Sequence, residues 1–133
     1  MESLLPLLLL ISLTSVIGLL LRAKKGVIKK GTRVKIAEGE FGGKYGSRLT
    51  ILQFSTTFCS ECRTAKAIVK DVVKDSKDIT YVEVDAESNL DLVRRVDIRS
   101  TPTTIFLDSK GFEIARAKGA PKRDQLIKAI KAI

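Results

Sequence analysis

Cys59 and Cys62 are the only cysteines in the chain, and they lie in the run Thr57-Phe58-Cys59-Ser60-Glu61-Cys62. An apolar, β-rich stretch ends just before them, and an amphipathic helical pattern starts at them. A thiol at a helix start feels the positive end of the helix dipole, which favours thiolate over thiol. Two thiols at Cys-x-x-Cys spacing can also close a disulfide on each other, so the pair reads first as a redox couple. A disulfide across so few residues constrains almost no chain entropy, which argues against a purely structural role. The chain has no histidine, which removes Cys-His and Ser-His catalysis and most zinc, copper and haem chemistry. Two thiolates alone hold zinc or a cluster only by pooling the motifs of two copies. The expectation is therefore no metal and no cofactor.

The pattern around this pair supplies the elements that must position it. Leu49-Thr50-Ile51-Leu52-Gln53-Phe54 is short, apolar and β-rich, a buried strand. From Cys59 to about Lys74, the residues Ala65, Ile68, Val69 and Val72 recur at helical spacing, with Lys66, Lys70 and Lys74 on the other face. Ile79 to Asp85 alternates as a second strand, and Asn89 to Val96 reads as a short helix. Thr103 to Leu107 is a third strand, Asp108-Ser109-Lys110-Gly111 a hairpin turn, and Phe112 to Ala117 its partner. Pro121 to Ile133 closes the chain as a helix. Crossover helices imply parallel strands first, and the hairpin adds an antiparallel edge, so the fold class is α/β with a mixed sheet in the order β-α-β-α-β-β-α.

Upstream, residues 4–21 carry no charge, and thirteen of the eighteen are Leu, Ile or Val. As a helix they span roughly 27 Å, close to the hydrocarbon thickness of a bilayer. Pro6 falls in the first turn, where its missing N–H is tolerated. A cleaved signal peptide would want a basic start and a small-residue cleavage site. The chain instead opens Met1-Glu2-Ser3 and leaves the apolar run at Leu21-Arg22. A buried core helix would not be apolar on every face. Residues 1–21 are therefore expected to be a transmembrane anchor, 22–47 a basic, glycine-containing linker and lead-in, and 48–133 the folded domain. The alternation Arg33-Val34-Lys35-Ile36 adds a short edge strand, with no full helix in the lead-in.

The formal net charge of +9 is concentrated: residues 22–35 carry seven Lys or Arg and no acid, whereas 36–133 carry a net charge of only +3. A nucleic-acid interface would place interleaved aromatics on a basic folded surface, and the segment offers none. All nearby positive charge lies C-terminal to the apolar run, so the positive-inside rule puts the domain in the cytoplasm on a single-pass anchor. The basic linker then lies against anionic lipid, worth on the order of 1 kcal/mol per residue near the surface.

The element order, the Cys59-x-x-Cys62 motif after the first core strand, Thr101-Pro102 before the third and Gly119 after the hairpin together resemble the thioredoxin family over about residues 48–133. The runs Val82-Glu83-Val84-Asp85 and Ile98-Arg99-Ser100-Thr101-Pro102-Thr103 carry the same likeness. With its anchor, the chain is similar to membrane-tethered bacterial thioredoxin-like proteins. The resemblance implies a thioredoxin-like fold behind one N-terminal transmembrane helix. It implies Cys59 and Cys62 as the catalytic pair and Phe58, Thr101, Pro102 and Gly119 as substrate-binding residues. It also implies that Pro102 is cis and that the backbone of Thr101 pairs with an extended substrate, a strand addition. Three positions depart from the family pattern. Phe58 stands where Trp is common, Ser60-Glu61 replaces Gly-Pro, and Gln53 occupies the place where many members bury an Asp that assists proton transfer. Glu61 reads as a solvated acid in a first helical turn, where it is favourable, although its charge opposes a thiolate at Cys59.

These readings converge on a membrane-tethered thiol–disulfide oxidoreductase that reduces protein disulfides. Its expected partners are a disulfide-containing protein substrate and an upstream thiol reductase, with membrane lipid around residues 4–21 and the basic linker. The alternative is a membrane-anchored redox sensor or thioredoxin-fold adaptor without turnover.

Overall fold

The computed structural model describes residues 4–133. Its elements are α1 (Leu4–Ala23), β1 (Ile28–Lys30), α2 (Glu38–Phe41), β2 (Leu49–Ser55), α3 (Ser60–Val73), β3 (Ile79–Asp85), α4 (Leu90–Arg95), β4 (Thr103–Asp108), β5 (Glu113–Lys118) and α5 (Arg123–Ala132). From β2 onward the order is the expected β-α-β-α-β-β-α. The five strands form one mixed sheet in the order β1-β5-β4-β2-β3, with β2 and β3 parallel and every other pair antiparallel.

β2 is central, and all seven of its residues are buried. Its side chains alternate between two cores, as the pleat requires. Leu52 and Phe54 join Ile105 and Leu107 against α4, Ile36 and Phe41 on one face. Leu49 and Ile51 join Phe106, Ala117 and the apolar stripes of α3 and α5 on the other. Fully burying a side chain the size of Phe54 or Phe106 stabilises by up to about 3 kcal/mol, so this sandwich of helices on a sheet holds the first turn of α3 rigidly.

The lead-in differs from the sequence pattern. Its paired strand is Ile28–Lys30, which runs antiparallel to Ala115–Ala117 of β5. Lys35 makes only a single bridge, to Phe112. The break lies between them: Arg33 adopts a positive φ of 57°, and Gly31 approaches β5 so closely that an added Cβ would lie 2.7 Å from the Glu113 side chain. Val34 and Ile36 then turn inward, Ile36 becoming fully buried. A single helical turn follows, α2, closed by Gly42 in the left-handed region with φ 70°. One turn is too short for helical periodicity to register in sequence.

α1 is twenty residues long with no buried residue. By length and composition it is a candidate membrane span, a test that a signal sequence also passes. The hydroxyls of Ser12 and Thr14 donate to carbonyls three or four residues back, which removes their polarity from the helix exterior.

Candidate functional site

β2 ends at Ser55, and α3 starts at Ser60 with Cys59 as its N-cap residue. The local chemistry favours this junction, because Cys59 has extended backbone (φ −122°, ψ 100°) and its sulfur accepts the Cys62 N–H at 3.1 Å. A free amide of the first helical turn is thereby satisfied by a sulfur instead of an oxygen. Cys59 and Cys62 are joined in a disulfide with their Cα atoms 5.2 Å apart. Cys59 is half-buried, whereas Cys62 is 3% exposed and lies behind it. In the dithiol form, the same N–H and helix dipole would stabilise negative charge on the outer sulfur.

Three other predicted residues gather on one side of this pair. The Thr101–Pro102 peptide is cis. The Thr101 hydroxyl lies 3.9 Å from the Cys59 sulfur and 3.4 Å from the Thr56 hydroxyl. Pro102 is buried, and its carbonyl accepts the Gly119 N–H at 2.7 Å. Gly119 has φ 82°, so a side chain there would be strained even though a Cβ would meet its neighbours at ordinary contact distance. Phe58, next to Cys59 in the chain, is 96% exposed. Glu61 lies in the first turn of α3 and forms no ion pair among the described residues.

Beneath Cys62, Gln53 is fully buried and fully engaged. Its Nε2 donates to the Cys62 carbonyl at 2.9 Å and to the Ser55 hydroxyl at 3.0 Å, and its Oε1 accepts the Tyr81 hydroxyl at 3.0 Å. Burial, with the Glu83 charge nearby, pushes the Tyr81 phenol above its ordinary range. Tyr81 therefore stays a neutral donor, and Gln53 has no proton to give or take. The Glu83 carboxylate itself turns to Lys66, 3.3 Å away at the surface.

Some residues of this neighbourhood are not evident from the sequence. Tyr81 reads there only as one member of a strand, yet it fixes the Gln53 amide. Thr56 falls between the predicted strand and Cys59 with nothing to mark it, yet it abuts Thr101. A shallow groove of about 310 Å³ runs from Thr56 and Thr101 to Leu90, Val93 and Ile98. Leu90 belongs to the helical apolar pattern but is 52% exposed. Only the packing of α4, which turns Leu92 and Val96 inward, distinguishes it from its neighbours.

The thioredoxin family model matches residues 34–132. Among curated proteins, the chain is 32% identical over 77 residues to thioredoxin H5 of Oryza sativa subsp. japonica, a match over 58% of this chain and 56% of the rice protein. It is 28% identical over 86 residues to thioredoxin of Ophiophagus hannah, covering 65% of this chain and 80% of that one. Among solved structures, thioredoxin-2 of a malaria parasite aligns with a TM-score of 0.59 at 28% identity, over 65% of this chain and 84% of that one. The matched segment includes both cysteines, the cis-proline loop and every strand from β2 to β5, so the chain belongs to the thioredoxin family.

Proposed function

We propose that the protein is a membrane-tethered thiol–disulfide oxidoreductase, with residues 1–21 as anchor and 48–133 as the catalytic domain, facing the cytoplasm. One observation carries the chemical reading: an accessible sulfur caps a helix while a second sulfur is buried directly behind it. In the reduced form, the Cys59 thiolate attacks one sulfur of a substrate disulfide. The S–S bond breaks, the departing sulfur takes a proton, and a mixed disulfide joins Cys59 to the substrate. Cys62 then loses its proton and attacks the Cys59 sulfur, which restores the Cys59–Cys62 disulfide and releases the second substrate thiol. Two electrons and two protons pass from the dithiol to the substrate, and an upstream thiol reductase returns them. With Gln53 beneath it, Cys62 passes its proton to the leaving sulfur or to solvent, with no carboxylate relay.

Phe58, Thr101, Pro102 and Gly119 frame the approach. The main chain of Thr101 pairs with an extended substrate segment, and Phe58 covers its apolar side chains. The lack of acid and the seven cations in residues 22–35 support both the orientation and a contact with anionic lipid. The test is a trapping experiment on the full chain. Cys62→Ser should accumulate disulfide-linked substrate on Cys59, visible on non-reducing gels, and Cys59→Ser should abolish insulin reduction. Full activity in Cys59→Ser would overturn the mechanism.

A further inference from the structure

Only two residues, Lys24 and Lys25, separate α1 from the segment docked beside the substrate groove. α1 ends at Ala23, and at Gly26 the chain is already docked. The Gly26 N–H donates to the Lys118 carbonyl at 2.6 Å, and an added Cβ at Gly26 would lie 2.2 Å from the Ala120 carbonyl oxygen. From the other side, the Gly119 Cα faces Lys25 and Gly26 closely enough that a Cβ there would meet the Gly26 nitrogen at 3.4 Å. Gly119 in turn donates to the Pro102 carbonyl, and Thr101 touches the Cys59 sulfur. Lys25 and Gly26 therefore pack against the loop at Gly119, which is hydrogen-bonded to the cis-proline loop beside the disulfide.

The magnitudes decide what this means. A free 24-residue linker from Ala23 to Ser47 would let the domain range over roughly 27 Å r.m.s. and reach about 80 Å when extended. The docked segment reduces this to at most ~11 Å between the end of α1 and Gly26. A 180 Å³ pocket lined by Lys24, Val27, Lys29, Lys30, Arg116 and Lys118 opens on the same edge. Lys24, Lys29, Lys30 and Lys118 form no ion pair among the described residues, so their charge is free to face anionic headgroups.

Resting on the membrane-tethered reading above, we infer that the substrates are disulfides held at the bilayer surface, in the juxtamembrane segments of other membrane proteins, and not disulfides carried far from the membrane. The β1–β5 edge lies on the headgroups, and the groove beside Gly119 opens close to the lipid plane. Effective concentration is high for a target that the tether can reach and falls toward zero for one it cannot span.

The test uses the pre-reduced full chain in vesicles containing anionic phospholipid, with excess reductant removed so that each molecule delivers two electrons once. Two membrane-anchored reporter peptides carry the same internal disulfide. One holds it about five residues from the bilayer, and the other holds it beyond a rigid helix of about 40 residues, ~60 Å away. The near disulfide is expected to be reduced at least tenfold faster. A 30-residue Gly/Ser insertion between Ala23 and Lys24, ~30 Å r.m.s. and ~100 Å when extended, is expected to reduce that preference at least threefold. Equal rates with the unmodified chain, or a preference unchanged by the insertion, would overturn the inference. Vesicle flotation and reduction of soluble insulin by the same preparation separate the two claims. If either fails, the membrane-reductase reading falls, whereas if both succeed with equal reporter rates, only the surface restriction falls.

Discussion

Beneath the disulfide, Gln53 meets Tyr81, Ser55 and the Cys62 carbonyl, all of them neutral. At the other side of the sheet, Glu113 is equally buried, but it is an ion. Its carboxylate accepts from Arg116 at 2.7 and 3.0 Å and from the Thr32 hydroxyl at 2.6 Å. Arg116 also donates to the Val96 and Asp97 carbonyls. Burial alone would push the Glu113 carboxyl up, but the bonds from Arg116 and Thr32 and the guanidinium charge together hold it below the usual range. The difference separates two uses of a buried polar group. Buried charge is placed where it fastens the lead-in and the α4–β4 connection to β5, and a neutral amide is buried beneath the sulfurs, where a fixed negative charge would oppose the thiolate.

The largest expected effect comes from breaking the ionic cluster. Glu113→Ala leaves Arg116 without its carboxylate, at a cost of about 3 kcal/mol, the lower end for a buried pair because two carbonyls still hold the guanidinium. Urea denaturation should show that loss while insulin reduction by the folded fraction stays unchanged. A parallel loss of turnover would mean that the two clusters are not separable.

Moving charge into the neutral cluster sharpens the contrast. Gln53→Glu keeps the shape but removes the amide donors to Cys62 and Ser55, a destabilisation of about 2 kcal/mol at neutral pH. Burial would raise the new carboxyl's pKa, so its cost is absent below the ordinary glutamate range and grows as pH rises above it. The pH profile for resolving the mixed disulfide should gain an inflection that wild type lacks. An unchanged profile would show that the Gln53 position does not communicate with Cys62.

The smallest effect concerns acid stability. Because the folded Glu113 carboxyl is depressed, the unfolded chain binds the extra proton first as pH falls. The stabilisation is whole above the ordinary glutamate value and is lost as pH drops through the depressed one. Asp71, Asp78, Asp85 and Asp97, lowered by their own hydrogen bonds, act in the same direction. Glu113→Gln should therefore shallow the acid limb of a stability–pH curve without flattening it. An identical slope would remove Glu113 from the account.

Much of this was legible in the residues because the core strands and helices carry strong periodic patterns. β2 is apolar throughout, and α3 keeps its lysines on one face. The motif positions Cys59, Cys62, Thr101, Pro102 and Gly119 do come together. The edge was not legible. Ile28-Lys29-Lys30 has a single apolar residue, and its pairing is decided by the free margin of β5 and by close approaches at Gly26 and Gly31. Nothing in the Phe112 to Ala117 strand pattern marks Glu113 as a buried acid. Only Thr32, distant in sequence, and Arg116 make its burial affordable. Gln53 was visible as a departure, but its Tyr81 partner depends on the β2–β3 register, which aligns Ile51 with Tyr81.

Phe58 has a further consequence. A ring left 96% in water is a greasy thumb that any docking chain can cover, gaining about 2 kcal/mol whatever its sequence. Such a contact holds visitors briefly without asking who they are. On the function proposed above, discrimination among them would come from geography: which chains pass within arm's length of the sulfur, and for how long.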